Sequence, residues 1–259
     1  MTETTAGKLQ DLITAKKNIR AAIESKGAAV TGGLSTYAAA IDRIKLKGDH
    51  TIDPNTRFSL STFTDAPELD TSNYTSMNRM FATCLNLENV PVYKTENVTN
   101  MDYMFSQCGS LKQLDWLDTT SVKSMYGMFS PQLTDQITGE TDTVKMSLER
   151  LPMLKCYNVE DVTSMFGYQG YGASMDKLTD IEGFEGLGKV GNLKGTNRGG
   201  FIYKCTALSD RSIKNIINSL YDRAAAGLTP LELYFNYIYH RIDDETKAVA
   251  ANKGWIITL

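Results

Sequence analysis

The sequence predicts an α/β chain whose middle is a repeat solenoid carrying a parallel sheet, preceded by a helical module and closed by an α/β cap. Three observations predict it: a methionine-phenylalanine box recurring at a fixed period, a helical stripe of apolar residues near the start, and a change of pattern after Cys205. The repeat comes first because it organises the rest. Eleven methionines are present, and six of them form three identical pairs. Met77 and Met80 lead into Phe81, Met101 and Met104 into Phe105, and Met125 and Met128 into Phe129, so the boxes recur with a constant 24-residue period. A fourth copy reads from Val162-Thr163-Ser164-Met165, a 40-residue step from Val122. That offset implies one period carrying a 16-residue insertion, which fits the polar stretch Pro131 to Val144.

The phase holds outside the boxes. Apolar triplets Leu87, Val90 and Val92, then Leu111, Leu114 and Trp116, then Leu151, Leu154 and Cys156 precede them as strand ends. Cysteine follows Phe81 and Phe105 at the third position, as Cys84 and Cys108, and leucine follows at the sixth, as Leu87 and Leu111. Cys205 and Leu208 continue both columns, so a degraded copy ends near Leu208. A 24-residue unit of this composition lies in the range of leucine-rich solenoids, in which each turn adds one short parallel strand and cannot bury its apolar edge alone. Methionine suits such an interior because it is unbranched and fills irregular gaps. Asp70-Thr71-Ser72-Asn73 and Asp118-Thr119-Thr120-Ser121 supply short polar side chains that bond turning backbone.

The run Asp70 to Leu87 resembles the BspA-type leucine-rich repeats, in the subclass Asp-Thr-Ser-x-Val-Thr-x-Met-x-x-Met-Phe-x-x-Cys-x-x-Leu, with Tyr74 in the Val place. The second copy departs at Lys94 and Glu96, and the third loses both Cys and Leu after Phe129. The solenoid is expected over residues 58–208.

Ahead of it, Leu9, Leu12, Ile13, Ile19 and Ile23 form a helical stripe interrupted by Lys16, Lys17 and Arg20, and a second short helix follows from Ser35. Neither buries its stripe alone, which makes residues 1–46 an attachment or oligomerisation module and 47–57, with Gly48 and Pro54, a linker. Lys16 to Gly27, followed by Tyr37-Ala38-Ala39-Ala40-Ile41, resembles an N-terminal module of structural and fibre proteins of tailed bacteriophages. The resemblance implies a virion location, contact with other virion proteins through this module and, by analogy with fibres, a homo-trimer.

Residues 209–259 read as the cap a solenoid needs over its last apolar face. A helix is expected over Ser209 to Ala226 with Ser209 as N-cap, a strand over Leu231 to Phe235, a helix over Asp243 to Asn252 and a strand over Trp255 to Leu259.

Composition narrows the function. Lys and Arg number 27 against 30 Asp and Glu, a net charge of −3 that leaves no basic excess for a phosphate backbone. No window reaches the length of about 20 apolar residues that spans a bilayer. The start lacks the features of a signal peptide, so synthesis in the host cytoplasm without export is expected. The two histidines, His50 and His240, are far apart, and no nucleophile with its base is evident. Neither an enzyme nor a cofactor or metal requirement is therefore expected. Gly183 to Gly191 mimics nucleotide-binding glycine motifs but carries Val190 where a metal-holding hydroxyl belongs, and reads as a loop. The cysteines stand a repeat apart or more, which favours buried thiols over zinc ligands. Asn73-Tyr74-Thr75 and Asn97-Val98-Thr99 match a glycosylation acceptor as by-products of the repeat.

The expected function is non-enzymatic display of an extended rigid face that contacts a host surface protein or glycan through many weak contacts. Glu88, Asn89, Lys112, Gln113 and Asp115 are the residues expected to line it. Tyr234, Tyr237 and Tyr239 form the densest aromatic cluster and a second glycan-stacking candidate. The alternative is a bacterial surface adhesin of the BspA type, which shares the repeat.

Overall fold

The computed structural model describes residues 58–134, 141–167, 174–197 and 200–259, all within one compact unit, residues 54–259. The expectations for residues 1–57, including the stripe of Leu9, Leu12, Ile13, Ile19 and Ile23, lie outside the described residues. The described chain is mixed α/β, with small parallel sheets and few helices. In order come β1 (Gln132–Thr134), β2 (Thr141–Thr143), β3 (Arg150–Leu151), β4 (Leu154–Lys155), β5 (Asp180–Ile181), β6 (Phe184–Glu185), α1 (Asp210–Ser219), β7 (Leu231–Tyr234), a 3-10 helix (Asn236–Arg241), α2 (Asp244–Asn252) and β8 (Trp255–Thr258). β3 pairs β5, β4 pairs β6 and β7 pairs β8, all parallel, whereas β1 and β2 form an antiparallel hairpin.

Successive copies are joined by the same hydrogen bonds in the same phase. Met77 N donates to Asn100 O at 2.8 Å, Met101 N to Ser124 O at 2.9 Å and Met125 N to Asp161 O at 2.9 Å. Isolated parallel bridges run Ser76 to Asn100, Asn100 to Ser124, Ser124 to Asp161 and Asp161 to Lys194. Inside, Phe58, Phe81, Phe105, Phe129 and Phe166 form one column, neighbouring rings 5.6–5.8 Å apart and within 10° of parallel. Met80, Met104, Met128 and Met165 line up beside it, all fully buried. Each such side chain contributes about 1.5–3 kcal/mol by leaving water.

Threonine holds the corners. Thr71, Thr95 and Thr119 are fully buried, and each Oγ1 donates to a carbonyl of the next copy: Lys94 at 2.8 Å, Asp118 at 2.6 Å and Lys155 at 2.9 Å. Asp70 and Asp118 accept from the amides of Ser72 and Thr120, the turn bonding expected of these segments.

The structure corrects the register of the fourth copy. Phe129 N donates to Met165 O and Ser124 bridges Asp161, so Met165-Phe166 continues Met128-Phe129, and Val162 takes the place of Met125. The step is the same 37-residue offset that joins Gln113 to Arg150. The insertion is therefore three residues shorter than the sequence strings imply, and its described part is the β1–β2 hairpin. Continuity of the ring column fixes this alignment, whereas the Val-Thr-Ser-Met string offers only a match of letters.

The apolar triplets are also corrected. Val92 is 69% exposed and Trp116 48%, while Tyr93 and Leu117 are buried. The inward spacing is three and three: Leu87, Val90 and Tyr93; Leu111, Leu114 and Leu117; Leu148, Leu151 and Leu154; Leu178, Ile181 and Phe184. Cys156, assigned to a triplet, instead follows Thr119 by one copy in the threonine column, on the same offset that links Phe129 to Phe166. Leu208 is buried at the end of the leucine column, as expected.

The end segment follows the expected order with shorter helices. Ser209 caps α1, accepting from Ser212 N at 3.1 Å, but the helix stops at Ser219 rather than Ala226. Beyond it, Tyr221 N donates to Leu187 O and Arg223 N to Lys253 O, so this backbone leaves the helix to pair with its neighbours. β7 ends at Tyr234 and β8 at Thr258, each one position short of expectation, and Asp243 is the N-cap of α2 rather than its first residue. Ile213, Ile216 and Ile217 of α1 are buried. Its serines satisfy the edge: Ser212 Oγ accepts from Ile181 N at 2.9 Å and Ser219 Oγ from Phe184 N at 2.8 Å. An exposed strand edge invites pairing with another chain, and these two hydroxyls close it.

Candidate functional site

The inward residues leave four outward positions in each rung, and successive rungs align them into rows. One row holds Asp65, Asn89, Gln113, Arg150 and Asp180, with parallel bridges Asp65–Asn89 and Gln113–Arg150 and the β3–β5 pairing of Arg150 with Asp180. Two of its junctions are bridged side chain to side chain, and one further bond lies within a rung. Asn89 Nδ2 donates to Asp65 Oδ1 at 2.7 Å, Arg150 donates to Gln113 Oε1, and Gln113 Nε2 donates to Asp115 Oδ1 at 2.9 Å. Hydrogen bonds from Thr64 and then Asn89 hold the Asp65 carboxyl below its ordinary value.

Two positions further on, the residues are Pro67, Pro91, Asp115, Pro152 and Glu182, and the next position holds Glu68, Val92, Trp116, Met153 and Gly183. Val92, Trp116 and Met153 are exposed apolar side chains in register. Between the rows lies a cleft of about 300 Å³. Gln113, Asp115, Arg150, Asp180 and Glu182 line it, and Arg211 of α1 reaches it through a 3.2 Å ion pair with Asp180. Leu114 and Leu151 lie beneath.

A second polar row, Ser76, Asn100, Ser124 and Asp161, has a different use. Asn78 N donates to Ser76 Oγ, Asp102 N to Asn100 Oδ1 and Thr163 N to Asp161 Oδ1, while Ser124 Oγ donates to Asp102 Oδ1. Ser76, Asn100 and Asp161 thus each cap the backbone two residues on, and Ser124 ties its copy to the one before. The Asp65–Asp180 row bonds side chain to side chain and leaves atoms facing outward.

Of the residues predicted for the face, Glu88, Asn89, Lys112 and Asp115 are exposed and Gln113 is half-buried. The structure brings Gln113 and Asp115 together in the cleft, while Glu88, Asn89 and Lys112 stand outside its lining. Arg150, Asp180, Glu182 and Arg211 were missed. The first three continue the same rows beyond the insertion, Arg150 after Gln113, Asp180 after Arg150 and Glu182 after Asp115, a signal hidden by the misplaced register. The tyrosine cluster does not form one surface. Tyr234 is buried, Tyr237 is exposed with an edge-to-face contact to Tyr203, and Tyr239 lies under the Lys247 ammonium at 4.6 Å.

The glycine-rich loop packs under aromatic rings. A Cβ on Gly186 would meet the Tyr157 ring at 2.3 Å, and one on Gly188 the Trp255 ring at 2.2 Å. Close approach explains these glycines without a phosphate. Asn97 Nδ2 donates to Ser72 O at 2.9 Å, so this amide belongs to the inter-copy bonding. All four cysteines are free and buried, and burial pushes the Cys108, Cys156 and Cys205 thiols up. Among the described residues no group of three or more His, Cys, Asp or Glu side chains could hold a metal ion, and no helix is long and apolar enough to cross a membrane.

A mixed α/β protein built on in-register repeats, with an outward polar row and cleft, is the class defined by these features. Residues 55–177 match the family model described as "Mycoplasma protein of unknown function, DUF285", a domain type related to BspA-like repeat proteins. The matched span covers the methionine-phenylalanine boxes and stops before α1 and the C-terminal strands. Comparison with curated proteins and with solved structures gave no match.

Proposed function

We propose that the repeats form a leucine-rich-repeat-like solenoid that serves as a non-enzymatic display scaffold, with residues 58–208 presenting a contact face and residues 209–259 capping its end. The observation that carries this reading is the Asp65–Asn89–Gln113–Arg150–Asp180 row, whose side chains are aligned outward while Ser76, Asn100 and Asp161 of the second row accept from nearby backbone amides. A row of this kind binds an extended partner through repeated weak contacts, and several copies on one particle multiply the effect. The particle we propose is a tailed-bacteriophage virion. Residues 1–46, which resemble phage attachment modules, would fix the chain to other virion proteins as a homo-trimer. The partner would be a host surface protein or glycan, with neither nucleic acid nor membrane insertion involved.

Labelled full-length protein is expected to bind cells of a susceptible bacterium and to lose most of that binding when Gln113 and Arg150 are both replaced by Ala. Undiminished binding by the double variant would refute the assigned face. Light scattering of the full chain should give a trimer mass, and a monomer would remove the trimeric arrangement. A second reading, a bacterial surface adhesin of the BspA type, draws on the DUF285 match over residues 55–177. Antibody labelling of purified virions against labelling of uninfected cells separates the two.

A further inference from the structure

We propose that the cleft between Gln113, Asp115, Arg150, Asp180, Glu182 and Arg211 is a subsite for a neutral hexopyranose oligosaccharide. The inference rests on the display reading and supplies its ligand chemistry. The cleft volume of about 300 Å³ lies at the lower end of small-ligand sites. Three carboxylates face two guanidinium groups, so the lining carries one net negative charge. Both guanidinium groups are already engaged, Arg150 with Gln113 and Arg211 with Asp180. A sulfated, phosphorylated or sialylated ligand would meet a lining of net negative charge, and a cationic ligand would meet two arginines. A neutral polyhydroxyl compound suits both constraints.

The internal bonds pre-arrange the lining for hydroxyl groups. Asp115 commits Oδ1 to Gln113, Asp180 commits Oδ1 to Arg211, and Glu182 commits Oε2 to the Met153 amide at 3.2 Å. The second oxygen of each carboxylate is left to accept from a ligand, while the remaining N–H groups of Arg150 and Arg211 donate. A pair of neighbouring sugar hydroxyls needs this mixture of fixed acceptors and donors, because each hydroxyl does both. Fixing the side chains beforehand also lowers the entropy lost on binding.

The neighbouring row provides an apolar surface. Trp116 and Met153 occupy the same position in consecutive rungs, 48% and 38% exposed, and Val92 precedes them. The C–H face of a pyranose packs on an aromatic ring in the way other apolar groups do. Parallel rungs are spaced about 4.8 Å apart, close to the advance of one sugar unit along an extended chain. One oligomer can thus meet several rungs in succession.

The chain has two tryptophans, and Trp255 is buried, so a change in surface tryptophan emission reports Trp116. Full-length protein is titrated with cellohexaose, maltohexaose and mannohexaose, and with a sulfated hexasaccharide and a sialylated oligosaccharide, by fluorescence and calorimetry. At least one neutral hexaose should shift Trp116 emission and bind at least tenfold more tightly than either acidic probe. Asp115→Asn and Glu182→Gln should each weaken it at least tenfold with unchanged far-ultraviolet circular dichroism, and Trp116→Ala should do the same by calorimetry. Flat titrations with all three neutral hexaoses, tighter binding of an acidic probe, or unchanged affinity in both folded carboxamide variants would overturn the subsite. Cell binding that depends on Gln113 and Arg150 alongside flat sugar titrations sinks the subsite and leaves the display reading standing. Sugar binding without cell binding does the reverse.

Discussion

The rings of Phe129 and Phe166 stack at 5.8 Å and 10°, the same geometry as Phe105 on Phe129, although the first pair stands much further apart in sequence than the second. The extra residues leave the core between these two phenylalanines and the chain returns in phase. The column therefore tolerates length variation outside itself and little variation within.

Truncation at the centre of that column is expected to be costly. Phe105 is fully buried between Phe81 and Phe129, and Phe105→Ala should destabilise by about 3–5 kcal/mol. Urea unfolding of the two proteins measures it, and a loss under about 1 kcal/mol would mean that the neighbouring rings collapse into the space.

Thr95 tests the corner bonds separately from packing. Its Oγ1 donates to Asp118 O at 2.6 Å inside a fully buried site. Thr95→Val keeps the shape and strands that carbonyl, at a cost of about 1–3 kcal/mol. Thr95→Ser keeps the donor and should fall closer to the parent, and a reversed order in thermal melts would show that the methyl group, not the hydroxyl, matters.

Gly127 sits at φ +57, and a Cβ there would lie 2.6 Å from the Tyr103 ring. Arg79, Tyr103 and Ser164 adopt nearly the same left-handed angle at the matching positions, so the backbone tolerates a side chain elsewhere in the column. Gly127→Ala should lose about 1–2 kcal/mol from the left-handed conformation, plus the ring clash. Combining it with Tyr103→Ala in a double-mutant cycle should recover the clash part, and a coupling energy near zero would contradict the contact.

Acid should unpick the cap of α2. Hydrogen bonds from Thr246 and the neighbouring Lys214 hold the Asp243 carboxyl down to about 2, against an ordinary 3.8. A carboxylate with a lowered folded pKa stabilises fully above its ordinary value, and that contribution disappears as the pH falls from about 3.8 towards 2. The melting-temperature gap between the parent and Asp243→Asn should be constant from pH 7 to 5, shrink below pH 4 and close near pH 2. A gap independent of pH would remove the charge from the explanation.

The four thiols should be inert while the protein is folded, since all are buried and reaction needs an accessible thiolate. A chromogenic disulfide reagent should label none within minutes in buffer and all four in guanidinium chloride. Rapid native labelling of any of them would show local opening of the repeats.

The period was legible because Met and Phe recur as the same letters at every turn. The register of the fourth copy was not, because Val162-Thr163-Ser164-Met165 resembles Val122-Lys123-Ser124-Met125 more closely in letters than in place, and only the Phe129–Phe166 contact resolves it. The third inward position was assigned to Val92 and Trp116 because a strand was expected to alternate. The rungs turn every third residue instead, which puts Tyr93 and Leu117 inside. That same error hid the face, since Trp116 was counted with the apolar edge and Arg150 and Asp180 were never aligned with Gln113. The N-cap Ser209 was readable from local chemistry alone and the start of α2 to within one residue, whereas the early end of α1 depends on Leu187 and Lys253, far away in sequence.

Met80, Met104 and Met128 are buried at the same place in successive copies, and the backbone bonds that join one copy to the next repeat in the same phase. Gaining or dropping one whole unit would keep that bonding and the ring stacking in phase and change only side-chain contacts such as Gly127 against Tyr103. The reach of the outward face then becomes a heritable quantity counted in whole units, adjustable without inventing a new structure.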